Sequence, residues 1–280
     1  MKKVLCLILS AMMLLACAAC GDSASADRLA QIKDKGYIEV TTEPYYAPYE
    51  FIDPSKTGDE QYVGLDIEIA KAIADKIGVD LKIVPLEFTA VQTGIVDGKY
   101  DLALSALAYS DDRAENMNLS DVYLSSSGES DGYGFLVRSE DVDKYTSIES
   151  LAEAVVITQS GSVQESMYNG NVTKSKEFKL VSGMTDAYLA VAEGKADVCI
   201  CDISSATLYA EANGGLTTTS FRFVVDEKMD GVVVAAPKEG TASLMEVVNS
   251  VIAELKASGQ IDAWDDQYTE YAKSLGIETN

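Results

Sequence analysis

Apolar and polar positions along the chain switch repeatedly between a period of two and a period near 3.6, which reads as strand and helix in alternation. Tyr37 to Thr42 has the composition of a strand, and Asp66 to Ile77 sets Ile69, Ile73 and Ile77 on one helical face before stopping at Gly78. Val79, Leu81 and Ile83 return to strict alternation and end at Pro85. Phe88 to Val96 predicts a helix up to Asp97-Gly98, and Tyr100 to Ala106 is a nearly continuous apolar run suited to a strand covered on both faces. The same grammar resumes as a strand over Val155 to Thr158, a helix from about Val163, and a helix over Asp186 to Glu193. It continues as a strand over Asp197 to Cys201 and a helix over Ser204 to Ala212 that ends in Asn213-Gly214-Gly215. A last strand, Gly231 to Ala236, precedes helices over Thr241 to Ala257 and around Ile261, Trp264, Tyr268 and Tyr271. Such alternation predicts an α/β protein with parallel sheets.

Two short segments repeat one another. Asp97-Gly98-Lys99-Tyr100-Asp101 and Glu193-Gly194-Lys195-Ala196-Asp197 are each a helix end, a Gly turn and an Asp that opens an apolar strand, which suggests two similar lobes. The polar stretch Ser125 to Gly134 interrupts the pattern between them and reads as a crossing from one lobe to the other. Length agrees: 280 residues allow roughly two domains at about 150 residues each.

Charge narrows the function. Lys and Arg total 22 against 45 Asp and Glu, a net −23, so the surface repels phosphate backbones and anionic headgroups, and nucleic-acid binding is not expected. With 47% hydrophobic residues this is a globular composition rather than a disordered acidic chain. Histidine is absent, which excludes Ser-His-Asp and Cys-His nucleophiles, HExxH zinc sites and histidine-ligated haem. No cofactor or metal is expected.

At the N-terminus Lys2 and Lys3 precede an apolar run from Val4 to Ala16, too short to span a bilayer and of the length of a signal-peptide core. The following Leu14-Leu15-Ala16-Cys17-Ala18-Ala19-Cys20-Gly21-Asp22 resembles a bacterial lipoprotein box. Cys17 has the more usual Leu three residues before it; Cys20 has the more usual small pair and a following Gly, and both stay candidates for lipidation. Residues 1–19 are then the signal peptide and 20–36 a tether with a first helix, with Gly21 to Ala26 as a flexible leash. The expected location is the extracytoplasmic face of the cell membrane, held by lipid. In the body only Cys199 and Cys201 remain, a C-x-C on one strand face that is awkward for a disulfide and reads as two small buried core residues.

Several ordered segments together resemble the family 3 extracellular solute-binding proteins, the amino-acid receptors of ATP-driven importers. They are Tyr45-Tyr46-Ala47-Pro48-Tyr49-Glu50-Phe51, Gly64-Leu65-Asp66-Ile67-Glu68-Ile69-Ala70, Gly98-Lys99-Tyr100-Asp101 with Ser110-Asp111-Asp112-Arg113, and Leu119-Ser120-Asp121-Val122-Tyr123. Gln159-Ser160-Gly161-Ser162-Val163-Gln164-Glu165 and Gly194-Lys195-Ala196-Asp197-Val198-Cys199-Ile200-Cys201-Asp202 complete the set, in order over nearly the whole mature chain. The resemblance implies the type 2 periplasmic-binding-protein fold: two Rossmann-like α/β lobes joined by two hinge crossings, near Gly132 to Leu136 and Phe221 to Val225. Lobe one takes residues 37–133 and 223–280, and lobe two takes 134–222. It further implies a monomer that hands a free amino acid to the transmembrane permease subunits and ATPase of an ABC importer.

A free amino acid offers a carboxylate, an ammonium and a side chain, so its receptor needs a bidentate cation, a fixed anion and a shaped wall. Arg113 follows a buried strand and a polar turn, where open α/β sheets place ligands; the resemblance makes it the carboxylate clamp, against the plain reading of a surface Arg paired with Asp111 or Glu115. The Gly161, Ser162 and Val163 N–H groups, between strand and helix, are placed to grip the same carboxylate. Asp202 matches the partner of the α-ammonium, with a helix N-cap as its plainer role. Tyr46 matches the aromatic packed on the ligand, and Glu43 falls where some members hold an acid near the ligand side chain, which slightly favours a polar or cationic ligand. Ser105, Ala106 and Gln159 complete the expected site. Leu65 stands where many relatives have a second aromatic, so stacking is expected on one side only, and Ala108 stands where a hydroxyl is common. The alternatives are an enzyme on the same scaffold, a dehydratase acting on a cyclic carboxylate with Glu43 or Glu165 as acid or base, and a receptor for another small organic acid.

Overall fold

A computed structural model of the protein describes residues 27–125, 132–225 and 231–276. The signal segment, Cys17, Cys20 and the leash lie outside the described residues.

The chain opens with α1 (Arg28–Lys35) and β1 (Tyr37–Thr42), followed by a small antiparallel sheet of β2 (Tyr45–Tyr46), β3 (Glu50–Ile52) and β4 (Tyr62–Val63). Next come α2 (Leu65–Ile77), β5 (Asp80–Pro85), α3 (Phe88–Val96), β6 (Leu102–Ala103), α4 (Asp111–Asn116), β7 (Met117–Leu119) and β8 (Leu124–Ser125). The middle of the chain forms β9 (Tyr133–Arg138), β10 (Val155–Gln159), α5 (Val163–Asn171), β11 (Glu177–Val181), α6 (Met184–Ala192), β12 (Val198–Asp202), α7 (Ile203–Asn213) and β13 (Leu216–Arg222). The return is β14 (Gly231–Val232), β15 (Ala235–Pro237), α8 (Ala242–Ala257) and α9 (Gln260–Ser274).

Two five-stranded sheets result, ordered β5-β1-β6-β15-β7 and β11-β10-β12-β9-β13. In each, the first three strands pair in parallel and the fourth, β15 or β9, runs antiparallel to both its neighbours, so the sheets are mixed rather than purely parallel. The reason lies in connectivity. β9 and β15 lie in different sheets from the strands that precede them, β8 and β14, and each runs antiparallel to the parallel strand it joins. The expected single strand Gly231 to Ala236 is accordingly broken: β14 pairs with β8 in a two-stranded ribbon, and β15 joins the first sheet.

The repeated Gly-Lys-x-Asp segments have the same job in both lobes. Asp101 Oδ2 accepts from the Glu39 backbone N–H at 2.8 Å and from Lys35 at 2.7 Å, beside the start of β1. Asp197 Oδ2 accepts from the Val155 N–H at 2.8 Å at the start of β10, and its other oxygen meets Arg138 at 3.1 Å. Each Asp thus ties the amino end of its own strand to that of the parallel neighbour, leaving the carboxyl ends free for chemistry.

The apolar stripes read from the sequence are the ones buried. Ile69 and Ile73 of α2 pack with Val40, Leu102 and the α8 residues Leu244 and Val248 against one face of the first sheet, and α2 ends at Gly78 in the left-handed conformation, φ 83°. Cys199 and Cys201 are free, fully buried members of the second lobe's core. Gly64 (φ 131°) is required by a close approach: a Cβ there would stand 2.1 Å from the Tyr49 carbonyl oxygen. That approach holds the β2–β3 turn against the start of α2.

Candidate functional site

The carboxyl ends of β1, β6, β10 and β12 meet across a cleft of about 340 Å³, the place where open α/β sheets bind ligands. β1 delivers Glu43, the chain after β6 delivers Ser105, Ala106 and Ala108, β10 delivers Gln159 and leads to Ser162, and β12 ends in Asp202. β6 is shorter than the predicted run to Ala106 because the chain bends away from the sheet. Ala106 takes φ 45°, a left-handed conformation uncommon for a residue with a Cβ, and Asp66 Oδ2 holds its N–H at 2.8 Å.

Arg113, on α4, is 7% exposed. Its guanidinium donates to three neutral acceptors: the Ala108 carbonyl at 2.6 Å, Gln92 Oε1 at 3.1 Å and, from the other lobe, the Gly161 carbonyl at 3.1 Å. Neither Asp111 nor Glu115 pairs with it, and among the described residues it has no carboxylate partner. Burial pulls its pKa down to about 10, so the group stays charged in an enclosed site that lacks a counter-ion.

Facing it is the N-terminus of α5, whose first N–H groups have no acceptor within the helix. Ser162 and Val163 line the cleft there, with the Ser162 hydroxyl acting as N-cap to the Glu165 N–H at 3.2 Å. Gly161 corrects the expectation for this turn. Its N–H donates to Glu165 Oε2 at 2.7 Å, it is not among the cleft-lining residues, and it contributes its carbonyl to Arg113 instead. The carboxylate of Glu165, occupied in that bond, likewise lies outside the lining.

Asp202 takes the N-cap role considered for it and stands at the cleft as well. Oδ1 caps α7, accepting from the Ser205 N–H at 2.9 Å and the Ser204 hydroxyl at 2.7 Å, and the residue lines the cleft. Tyr46 stacks on Tyr49 with ring centroids 5.8 Å apart, and both rings line the cleft. Glu43 is 5% exposed; its Oε2 accepts from Gln159 Nε2 at 2.7 Å across the two lobes, and burial raises its pKa to about 7. Leu65 departs from the expected site: it is fully buried in the core of the first lobe and does not reach the cleft. Its place at the first turn of α2 makes it part of the same core as the β1 residues Ile38 and Val40.

A second set of carboxyl groups escaped the sequence reading. Glu50, 1% exposed, accepts the Ser105 hydroxyl at 3.3 Å, and that hydroxyl in turn accepts the Glu43 N–H at 2.9 Å. Asp66 accepts the Tyr123 hydroxyl at 2.5 Å and has its pKa raised to about 6 by burial. On α9, Asp262, Asp265, Asp266 and Thr269 line the cleft. Their spacing of 0, 3, 4 and 7 was a readable helical stripe, but nothing in it said which way the stripe faces.

The profile of bacterial extracellular solute-binding proteins, family 3, matches residues 38–271. The chain belongs to that family. Among relatives, this solute-binding protein is 26% identical over 271 residues to the arginine-binding extracellular protein ArtP of Bacillus subtilis, covering 94% of this chain and 96% of that one. It superposes with a TM-score of 0.79 and 30% identity on the L-arginine-bound AbpA, an amino acid ABC transporter substrate-binding protein of Streptococcus pneumoniae, covering 89% of this chain and 99% of that one. It is also 25% identical over 200 residues to the cyclohexadienyl dehydratase of Pseudomonas aeruginosa, covering 69% of this chain and 71% of that protein. The bilobal fold of this solute-binding protein is thus that of the type 2 periplasmic-binding proteins, and the solved structures it superposes on with high coverage include binding proteins with amino acids in place.

Proposed function

We propose that the protein captures a free amino acid with a polar or cationic side chain between its lobes and delivers it to the transmembrane permease of an ABC importer. The observation that carries this reading is Arg113, an enclosed guanidinium bonded only to neutral acceptors among the described residues and facing the N-terminus of α5. A ligand carboxylate supplies the missing counter-charge and the acceptor for the helix N–H groups. The ammonium goes to Asp202, the aliphatic part to Tyr46, and a polar side-chain group to Glu43 and Gln159, with Ala106, Ala108 and Ser105 shaping the floor. Residues 37–133 with 223–280, and 134–222, are the two closing bodies, and closure is driven by the ligand's preference for the form in which Arg113 and Glu43 reach the other lobe. The protein acts as a monomer, anchored through lipid on Cys17 or Cys20 at the extracytoplasmic face, the arrangement that the basic start, the short apolar run and the paired cysteines support.

A thermal-shift screen of the amino acids tests the reading. A true ligand at a hundredfold excess over its Kd stabilises by about 2.7 kcal/mol. A flat response to all of them overturns it.

The pH dependence tests Glu43. Its folded pKa of about 7 lies above its ordinary 4.5, so burial favours the protonated form and a cation must displace that proton. Affinity for L-arginine is expected to rise between pH 5.5 and 7.5 by roughly 25-fold, the size for displacing one proton from a group of pKa about 7, and to level off above. Titration calorimetry of Glu43→Gln should give a flat profile over the same range; an unchanged slope removes Glu43 from the contact.

A further inference from the structure

Gln92, on α3, serves two partners at once. Its Oε1 accepts from Arg113 Nε at 3.1 Å, and its Nε2 donates to the Gly161 carbonyl of the other lobe, also at 3.1 Å. Arg113 Nη2 donates to that same carbonyl at 3.1 Å, so the three residues close a ring of hydrogen bonds across the lobes. One orientation of the amide satisfies both partners. Turned over, its NH2 group would meet the Arg113 Nε–H and its oxygen the Gly161 oxygen.

The second lobe is shaped for this contact. Gly161 takes φ 75°, and a Cβ there would stand 3.1 Å from Gln92 Nε2 and 3.2 Å from Thr89 Cγ2, so any side chain at this turn would press on α3. The Gly161 N–H is tied to Glu165 Oε2 at 2.7 Å, and its carbonyl accepts two bonds from the first lobe, one for each lone pair. Both polar groups of Gly161 are therefore committed to structure, and neither is offered to a ligand.

The first lobe gains a presented fork. Of the five N–H groups of Arg113, three are engaged: Nε by Gln92, one on Nη1 by the Ala108 carbonyl and one on Nη2 by Gly161. Among the described residues this leaves one N–H on each terminal nitrogen, a pair suited to the two oxygens of a carboxylate. The Phe88 ring, also on α3, lies 5.6 Å from Arg113 Cζ, so α3 supports the guanidinium by a ring and an amide together. An amide suits the place better than a carboxylate: a Glu there would supply the counter-charge that a ligand brings and would have no donor for Gly161.

We propose that Gln92 is a positioning residue, a clasp that draws Gly161 onto the first lobe and presents the remaining N–H pair of Arg113, and so retains the ligand without touching it. Gln92 is not among the cleft-lining residues. The inference rests on the reading above in which Arg113 grips the ligand carboxylate. A bond to the other lobe exists only while the lobes meet, so its loss falls on ligand dissociation rather than association, and equally on every ligand held by the same carboxylate grip.

Two variants separate the arms of the clasp. Gln92→Met keeps length and helix propensity and loses both bonds; Gln92→Glu keeps the acceptor for Arg113 Nε and loses the donor to Gly161. The first measurement uses the ligand-free, 15N-labelled protein. Solvent exchange of the Arg113 Nε–H, assigned by its disappearance in Arg113→Lys, should be about tenfold faster in Gln92→Met and near wild type in Gln92→Glu. Residual dipolar couplings should show the lobes further apart in both variants. Exchange and lobe angle unchanged in Gln92→Met overturn the clasp, whatever the ligand. The second measurement is calorimetry and stopped-flow binding with L-arginine and L-glutamine, on variants whose melting shows them folded. Gln92→Met should weaken both by roughly tenfold, the worth of two modest hydrogen bonds, and mainly in the off-rate. Gln92→Glu should weaken both further, because its charge competes with the ligand for Arg113. Loss confined to one amino acid, or wild-type affinity in Gln92→Glu, overturns the proposal. Failure of the amino-acid reading shows differently, as an affinity untouched by Arg113→Ala or as wild type binding neither amino acid, and the ligand-free measurement then still decides the clasp.

Discussion

Arg113→Ala is expected to weaken binding of the best amino-acid ligand by about 2–5 kcal/mol, the range for truncating one partner of a buried charge pair, or roughly 30-fold to several-thousand-fold in Kd. The size follows from the setting. Among the described residues the guanidinium has no carboxylate partner, so in the proposed complex the ligand supplies its counter-ion, and burial strengthens the attraction relative to water. Three acceptors, on Ala108, Gln92 and Gly161, hold the group in place before the ligand arrives, which lowers the ordering cost of binding. Arg113→Lys keeps the charge and loses the fork, so it should fall between wild type and the alanine variant. Calorimetry that finds unchanged affinity in Arg113→Ala, in a protein whose melting shows it to be folded, removes Arg113 from the site.

Asp66→Ala should lower folding stability by about 2–6 kcal/mol, because it strands two buried donors at about 1–3 kcal/mol each, the Tyr123 hydroxyl and the Ala106 N–H. Asp66→Asn keeps an acceptor and should lose less. The pH dependence separates the two variants further. Asp66 has a folded pKa of about 6 against an ordinary 3.8, so the folded state binds its proton more tightly. Its contribution is full below about pH 4 and is lost as pH rises through about 6, the reverse of a salt-bridged carboxylate. Urea denaturation across that window should show the wild-type curve declining through this interval relative to Asp66→Asn; parallel curves would rule out a proton held there. Ligand affinity should fall along with stability in Asp66→Ala, since the left-handed turn at Ala106 carries the floor of the cleft.

Much of the fold is legible in the chain because secondary structure follows local periodicity. The β1 strand and the α3 helix coincide with their predicted spans, and the paired Gly-Lys-x-Asp segments announce two like lobes whose Asp residues prove to anchor equivalent strands. The mixed sheets were less accessible, since strand direction depends on which lobe a strand enters after a crossing. The short β6 was hidden for a related reason: an apolar run says that residues are covered, and Ser105 is buried at the bend although it leaves the strand.

The sequence by itself determined the order of elements, the family motifs and the identity of the charged residues at the carboxyl ends of the strands. Only the tertiary structure decided what those residues are free to do. Arg113 is an ion-paired surface residue or an enclosed cation on neutral acceptors according to whether a carboxylate lies within reach, and its partners come from positions as far as Gly161. Glu43 meets Gln159 116 residues away, and its raised pKa is a property of that burial rather than of the residue. The acidic stripe of α9 has the same spacing whether it faces water or the ligand. Hydrogen bonding, desolvation and charge pairing sum over neighbours in space, and the chain specifies those neighbours only once the two lobes have packed.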